Sequence, residues 1–214
     1  MHMNNLIHIN PQKPEHHLIE QVADLLKAGG IIGYPTETIY GIGCSAFDAK
    51  AVERIYQLKG RDRQKAMILV AGDIVQVSEL VKSIPPAAEK LIENFWPGPL
   101  TIIFETSSRL HEFAFGKSKT VAVRIPACTI CLELIRETGF PLVSTSANIS
   151  GREAGTTAED VFEAFGDQLD IIIDGGATPE RVPSTLVDIS RTPARIVRQG
   201  AISNLEINTV LETV

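Results

Sequence analysis

The sequence is poor in cysteine, carries no surplus of positive charge and contains no long apolar run. Its 3 cysteines among 214 residues, an odd number, do not suggest the disulfide scaffold of a small secreted protein. The formal net charge of −6 argues against a general nucleic-acid binder, although it leaves room for a local basic pocket. No stretch of about 18 apolar residues is present, so we expect no transmembrane helix and no membrane contact. The first residues lack the pattern of a secretory signal, which predicts a cytoplasmic protein.

The remaining composition and patterning indicate one α/β domain. Hydrophobic residues make up 44% and charged residues 21%, which is ordinary for a globular protein. Predicted strands and helices alternate early and strands crowd together late, a pattern typical of a mixed sheet covered by helices. Strands are predicted at residues 31–34, 66–70, 100–104, 120–124, 142–144, 171–173, 185–189 and 196–198. We expect an N-terminal extension over residues 1–14, the domain over 15–202 and a C-terminal tail over 203–214.

The most informative segment is PLVSTSANISG, residues 141–151, where a short apolar strand changes abruptly into polar residues. Ser144, Ser146 and Asn148 can present side-chain donors to a polar ligand, and the loop can add backbone N–H groups. The alternative is an ordinary serine-rich turn after a strand. Ser184 is similar to these residues, because it also places a hydroxyl at one end of a predicted strand.

A basic cluster follows a predicted helix that Asp48 can cap. Lys59, Arg61, Arg63 and Lys65 place four cations within seven residues, opposed by one acidic residue. A solvated basic loop is one interpretation, since charge runs usually lie on the surface. The other is a clamp for phosphate or carboxylate, in which arginine supplies a planar fork and lysine a point charge. Sheltered charge-assisted hydrogen bonds contribute about 1.5–3 kcal/mol each, so two or three suffice for micromolar nucleotide binding.

Three other patterns are weaker. Residues 41–46 formally match a dinucleotide fingerprint, but no convincing strand precedes them and no acidic residue ends a following one. Cys128 and Cys131 form a lone CxxC, which we expect to pack on a helix face because zinc would need two further ligands. Arg124 and Arg198 each end a predicted strand, where an arginine is more often a rim or salt-bridge residue than a ligand.

Seven short segments along the chain together carry a family resemblance. They are PTETIYGIG (35–43), LKGR (58–61), FWPGPLT (95–101), TVAVRIPA (120–127), STSANISG (144–151), IDGG (173–176) and PSTLVDI (183–189). In this order they resemble the YrdC-like domain family, whose best-known members are threonylcarbamoyl-AMP synthases. The resemblance extends from about residue 15 to residue 202 and is closest to the short, single-domain bacterial type. Each segment alone is unspecific, whereas seven in sequence are specific.

The resemblance implies an open, twisted α/β mixed sheet with helices on its faces and a concave basic cavity. It also implies a reaction in which L-threonine, bicarbonate and ATP, with Mg²⁺ on the triphosphate, give threonylcarbamoyl-AMP and pyrophosphate. The product would serve downstream enzymes that modify the adenosine beside the tRNA anticodon. No metal site made of protein side chains is implied.

The same resemblance assigns roles to individual residues. Lys59 and Arg61 match the family's Lys-x-Arg signature and are expected to be catalytic. The residues expected to bind ATP are Lys59, Arg61, Lys65, Ser146, Asn148, Ser184 and Arg198. The residues expected to bind threonine or its carbamate are Thr36, Thr38, Thr120, Arg124 and Ser144.

Two positions depart from the family pattern. Asp62 stands where many members have proline, and Val70 stands where longer members have histidine. Longer members also carry a further C-terminal domain, for which 214 residues leave no room. Two alternative functions stay open: an enzyme that handles a carbamoyl-adenylate with another acceptor, and an RNA-binding or ribosome-assembly protein whose cavity contacts tRNA or other RNA. The net charge counts against RNA binding and the basic cluster favours it.

Overall fold

The fold is built around one mixed β-sheet. The computed structural model describes residues 5–63, 67–107, 119–178 and 181–212. The strands within these residues are β1 (Leu6–His8), β2 (Ile32–Tyr34), β3 (Gly41–Ser45), β4 (Ile68–Val70), β5 (Leu100–Glu105), β6 (Thr120–Arg124), β7 (Leu142–Ser146), β8 (Ile171–Asp174), β9 (Thr185–Asp188) and β10 (Arg195–Arg198). They join in the order β1-β8-β2-β3-β7-β4-β6-β5-β9-β10. Because β2 is antiparallel to β3 and parallel to β8, the predicted mixed sheet is confirmed.

Helices lie on both faces of this sheet. The α-helices in the described part of the chain are α1 (His16–Lys27), α2 (Ala49–Lys59), α3 (Ile74–Leu80), α4 (Pro86–Phe95), α5 (Thr129–Thr138), α6 (Ala158–Phe165) and α7 (Asn204–Leu211). On one face Ile42, Leu69 and Val123 pack with α2, α3, α4, α6 and α7 in a large apolar cluster. On the other face Ile32 and Val70 pack with α1 and α5 in a second cluster.

The second cluster covers only part of its face. Among the described residues, its buried sheet members come from β2, β4, β7 and β8 and none comes from β5, β6, β9 or β10. Strand register places Tyr34, Gly41, Ile68, Ser144 and Ser146 on this same face. The sheet therefore carries polar and small residues beside the region that α1 and α5 cover.

The ends of α2 determine where the basic cluster begins. Asp48 Oδ1 accepts hydrogen bonds from the backbone N–H groups of Lys50 at 2.9 Å and Ala51 at 3.0 Å, so the predicted cap is confirmed. Gly60 follows the helix with φ of +56°, a left-handed conformation that favours glycine, and it ends the helix. Lys59 is thus the last helical residue and Arg61 lies just beyond the turn.

Some elements lie where the sequence patterns predict none. Strand β1 falls in the expected N-terminal extension and pairs in parallel with β8. Helix α7 falls in the expected C-terminal tail, and its Ile207 is fully buried in the large cluster. The segment that matches a dinucleotide fingerprint is β3, a strand between β2 and β7, so it does not form a phosphate-binding loop. Within the described ranges, none of the helices combines the length and apolar character needed to cross a membrane.

Candidate active site

A cavity of about 1060 Å³ lies beside the polar part of the sheet. Its lining includes Thr36 and Thr38 from the loop after β2, Ser144 and Ser146 from β7, and Asn148 just beyond β7. Pockets for single small molecules usually measure about 300–1,000 Å³. This cavity is therefore large enough to hold a nucleotide and an amino acid together.

Guanidinium groups make part of the lining strongly positive. Arg61, Arg124 and Arg198 all line the cavity. The pKa of Arg198 is lowered by burial first and then by the positive charges of Arg124 and Arg61, so Arg198 lies close enough to both to be repelled by them. The other charged lining residues are Arg152, Glu153, Asp160, Glu163 and Arg181. Three converging cations suit a ligand with several negative charges, such as a polyphosphate.

Lys59 lies beneath the lining rather than in it. Its buried ammonium contacts the carbonyl oxygen of Ser146, the carbonyl oxygen of Asn148 at 2.7 Å and Oδ1 of Asn148 at 3.4 Å. These three acceptors match the three N–H groups of an ammonium. Burial, with a smaller effect from the charge of Arg61, lowers the pKa of Lys59 to about 8. The cavity-lining residues of the described chain do not include Lys59, which instead holds residues 146–148 in place.

Asn148 organises the segment after β7 from within. Its Oδ1 accepts a hydrogen bond from Oγ of Ser146. Its Nδ2 donates to the carbonyl oxygens of Ile149 at 3.1 Å and Arg152 at 2.6 Å. Ser146 and Asn148 therefore fix the course of this loop, and the loop as a whole faces the cavity.

Arg124 joins β6 to the loop after β2. Its Nε donates to the carbonyl oxygen of Gly98 at 3.0 Å, and its Nη1 donates to Oγ1 of Thr38 at 3.2 Å. Its Nη2 lies 2.7 Å from Oε1 of Glu37 in an ion pair whose side chains are 5% and 18% exposed. The pair lacks the alignment of a hydrogen bond, so Nη2 finds no hydrogen-bond partner among the described residues. Arg124 also lines the cavity, and a sheltered guanidinium suits a carboxylate or carbamate.

The hydroxyls of Thr36 and Thr38 are already engaged within their own loop. Oγ1 of Thr36 donates to the carbonyl oxygen of Ile39 at 2.7 Å and accepts from the N–H groups of Thr38 and Ile39, both at 3.2 Å. The two threonine oxygens are 2.9 Å apart. Both residues line the cavity, yet their hydroxyls mainly shape the loop that carries Glu37.

Ser184 and Arg198 form another part of the lining. Oγ of Ser184 lies 2.7 Å from Oγ1 of Thr101, a residue of β5. Nη2 of Arg198 donates to the carbonyl oxygen of Ser184 at 2.9 Å. The arginine at the end of β10 is thus oriented by the residue that precedes β9, and both line the cavity.

Two glycines of β3 make room for a tyrosine that reaches Ser144. Tyr34 is fully buried on β2 and donates its hydroxyl, across β3, to Oγ of Ser144 at 2.7 Å. Burial raises the pKa of Tyr34, so the hydroxyl keeps its proton. A Cβ at Gly43 would lie 2.8 Å from the tyrosine ring, and one at Gly41 would lie 3.2 Å from Oγ of Ser144. The glycines of PTETIYGIG therefore permit close packing.

The described cavity lining does not include every residue that the sequence predicts for the site. Thr120 stands at the opposite end of β6 from Arg124, and the described cavity lining does not include it. Lys65 lies outside the described residues. Val70, the departure from longer family members, packs in the cluster with α1 and α5 and not in the described lining.

Two residues that support the site have no clear sequence signal. Glu37 pairs with Arg124, and Tyr34 holds the hydroxyl of Ser144. An acidic residue in a polar loop and a tyrosine at the end of a strand are both common in proteins without any site. Only the position of Glu37 inside a polar loop that follows a buried strand could have suggested a role.

Comparison with known proteins identifies the family. The Sua5/YciO/YrdC family model, described as "Telomere recombination", matches residues 24–200. The chain belongs to this family. A curated relative named threonylcarbamoyl-AMP synthase, from Pyrococcus abyssi, is 38% identical over 200 residues, which cover 94% of this chain and 59% of the relative.

Solved structures of Sua5 and YciO proteins share the fold. The crystal structure of P. abyssi Sua5 complexed with L-threonine gives a TM-score of 0.92 at 38% identity, covering 96% of this chain and 60% of that one. The crystal structure of E. coli YciO gives a TM-score of 0.85 at 28% identity, covering 92% of this chain and 96% of that one. The chain thus spans 59% and 56% of the length of the two curated relatives from P. abyssi and Bacillus subtilis.

Proposed function

We propose that this chain forms threonylcarbamoyl-AMP and pyrophosphate from L-threonine, bicarbonate and ATP. The observation that carries the proposal is the convergence of Arg61, Arg124 and Arg198 on a cavity large enough for both a nucleotide and an amino acid. The names of the curated relatives, and L-threonine in the Sua5 complex, support this activity rather than RNA binding. The product would pass, in the cytoplasm, to enzymes that modify tRNA.

The proposed reaction depends on alignment and charge neutralisation more than on a strong base. The amine of threonine adds to carbon dioxide derived from bicarbonate and gives a carbamate. A carbamate oxygen attacks the α-phosphate of ATP, the bond from that phosphorus to the β-phosphate oxygen breaks, and pyrophosphate leaves. Holding two anions in line and neutralising the charge that develops supply most of the catalysis in such transfers.

The described residues suit a division of the cavity into two parts. Arg61 and the loop over residues 146–148 would contact the phosphates, while Ser184 and Arg198 would hold the nucleotide further along. Arg124 and Ser144, which both line the cavity, would hold the carboxylate or carbamate of threonine. Lys59 would act through the loop that its ammonium holds.

Mg²⁺ is proposed to arrive with ATP. Within the described ranges, no group of three or more His, Cys, Asp or Glu side chains could hold a metal ion on its own. Mg²⁺ is commonly bound by one or two carboxylates together with substrate phosphates, and Glu153 and Glu163 line the cavity. When bound there, the ion neutralises part of the charge of the triphosphate.

The purified protein is expected to release pyrophosphate from ATP only when L-threonine and bicarbonate are both present, because the attacking carbamate needs both. A coupled pyrophosphate assay, with mass spectrometry of the adenylate product, measures this directly. Omission of each substrate in turn is the control, and L-serine in place of L-threonine tests the selectivity of the amino-acid part. The proposal would be wrong if pyrophosphate release did not depend on L-threonine, or if no pyrophosphate were released with all three substrates present.

Nucleotide affinity is expected to fall as the pH rises through about 8, the pKa to which burial lowers Lys59. Above that pH the ammonium loses a proton, and with it the positive charge beneath residues 146–148. About a tenth of the lysine stays protonated one unit above its pKa, so the Kd of MgATP should rise about tenfold between pH 7 and pH 9. Equilibrium titrations at several pH values measure this. The Lys59→Arg variant stays charged and should give a flatter profile, whereas a flat wild-type profile would contradict the assignment.

A further inference from the structure

Cys128 and Cys131 have no role in the proposed reaction, but both contact Pro35, which precedes the loop that lines the cavity. Cys131 lies fully buried in the first turn of α5, packed with α1, so the expected helix-face packing is confirmed for this residue. Cys128 is instead the N-cap residue of α5 and is partly exposed. Both thiols donate to the same atom, the carbonyl oxygen of Pro35, at 3.4 Å from Cys128 and 3.3 Å from Cys131.

The shared acceptor brings the two sulfurs within reach of each other. Residues three apart along a helical turn are neighbours, with about 5–6 Å between their Cβ atoms. A disulfide needs about 3.5–4.5 Å between Cβ atoms, so an adjustment of the N-cap residue suffices and the helix need not unwind.

The two thiols differ in reactivity. Interaction with the thiol of Cys131 is the largest cause that lowers the pKa of Cys128, and the N–H groups of Cys131 and Ile130 lower it further. Burial raises the pKa of Cys131. Cys128 is the partly exposed residue of the two and caps the helix N-terminus, where a thiol pKa is lowered, so it is the nucleophile of the pair.

We propose that Cys128 and Cys131 form a thiol–disulfide exchange site whose oxidant is a low-molecular-weight disulfide such as oxidised glutathione. The thiolate of Cys128 attacks one sulfur of that disulfide, breaks its S–S bond and expels one small thiolate. The sulfur of Cys131, after losing its proton, attacks the Cys128 sulfur of the mixed disulfide and expels the second. The protons of the two protein thiols end on the two small thiols, and the protein loses the two electrons that the oxidant gains.

Oxidation removes two hydrogen-bond donors from Pro35, because a disulfide has no hydrogen to donate. Pro35 directly precedes the segment in which Thr36 and Thr38 line the cavity and Glu37 pairs with Arg124. Loss of these donors loosens the segment. Amide hydrogen exchange over residues 36–39 should accelerate about fivefold, as expected when a weak local hydrogen bond is lost.

The test uses the whole protein equilibrated in glutathione buffers with a decreasing ratio of reduced to oxidised form. Acid quenching, alkylation and peptide mass spectrometry count the free thiols, and amide exchange is followed over residues 36–39 in the same samples. Cys128 and Cys131 should lose their thiols together. Cys44 is the internal control, because it is fully buried, its pKa is raised to about 12, and it should stay reduced.

Two variants separate the steps. Cys131→Ser should stop at a mixed disulfide with glutathione on Cys128, and Cys128→Ser should remain unmodified. Three free thiols in every buffer, oxidation of Cys44 at the same ratio, or a disulfide that leaves exchange over residues 36–39 unchanged would each overturn the proposal. None of these readouts needs turnover, so a protein without synthase activity would count against the proposed function alone.

Discussion

Replacing Arg61 by alanine is expected to lower kcat/KM for threonine-dependent pyrophosphate release by at least about 100-fold, the usual loss when one group that stabilises transition-state charge is removed. Arg61 lies just beyond α2 and lines the cavity with Arg124 and Arg198. The side chain is only partly buried, so the free energy of unfolding should change by less than about 0.5 kcal/mol, or about 1–2 °C in Tm. Steady-state kinetics with ATP varied and thermal unfolding measure the two effects separately.

The matched control is Arg63→Ala, which removes the same charge two residues further along. The side chain of Arg63 is 73% exposed, pairs with Glu53 and does not belong to the described cavity lining. Exposed ion pairs contribute about 0–1 kcal/mol, so activity and Tm should both stay close to those of the wild type. If both variants lose the same activity, the basic cluster acts through its summed electrostatic potential and not through a contact made by Arg61. A Tm lowered by several degrees in Arg61→Ala would make that residue structural.

Much of the sheet is predictable because its strands are short apolar runs that end at turn residues. Strand β6 has its predicted bounds, and β7 extends the predicted strand by two residues, to Ser146. Strand β3 is different, because it contains Gly41 and Gly43 and glycine is depleted in strands. Gly43 leaves room for the ring of Tyr34 from the neighbouring strand, and Gly41 leaves room for the hydroxyl of Ser144 that this tyrosine reaches. A local sequence pattern cannot predict these contacts, because they form between side chains and backbone of neighbouring strands.

The polar residues of the site can be recognised in the sequence, but their division between ligand contact and support cannot. Lys59 and Arg61 belong to one short signature, yet the helix ends between them and only Arg61 reaches the described cavity lining. The acceptors of the Lys59 ammonium belong to Ser146 and Asn148, which follow it by 87 and 89 residues in the chain. The burial of this charge therefore depends on tertiary contacts that composition and spacing do not encode.

The same limit applies to Arg124, because an arginine at a strand end is more often a rim or salt-bridge residue than a ligand. In the structure Nη2 of Arg124 pairs with Glu37 and Nη1 donates to Thr38. The same residue also lines the cavity. A residue that stabilises the fold and also faces the cavity should affect both properties when it is replaced.

Replacing Arg124 by methionine is therefore expected to lower both stability and activity. Methionine can fill most of the space, but the carbonyl oxygen of Gly98 loses its donor and the carboxylate of Glu37 loses its cation. Breaking a buried ion pair costs about 3–5 kcal/mol. Glu37 keeps a hydrogen bond from the N–H of Ala127 at 2.7 Å, so we expect about 3 kcal/mol, or about 6–12 °C in Tm. Thermal unfolding and the KM for L-threonine measure the two losses.

Glu37→Gln, alone and combined with Arg124→Met, completes the comparison. In the double variant no charge is left buried without its partner, so Tm should recover by about half relative to Arg124→Met, with a coupling energy above about 1 kcal/mol across the four proteins. Activity should not recover, because the guanidinium that faces the cavity is still missing. If the double variant is no more stable than Arg124→Met, the ion pair does not contribute to stability. If Arg124→Met has a normal KM for L-threonine, Arg124 does not bind the amino acid, whatever effect the substitution has on Tm.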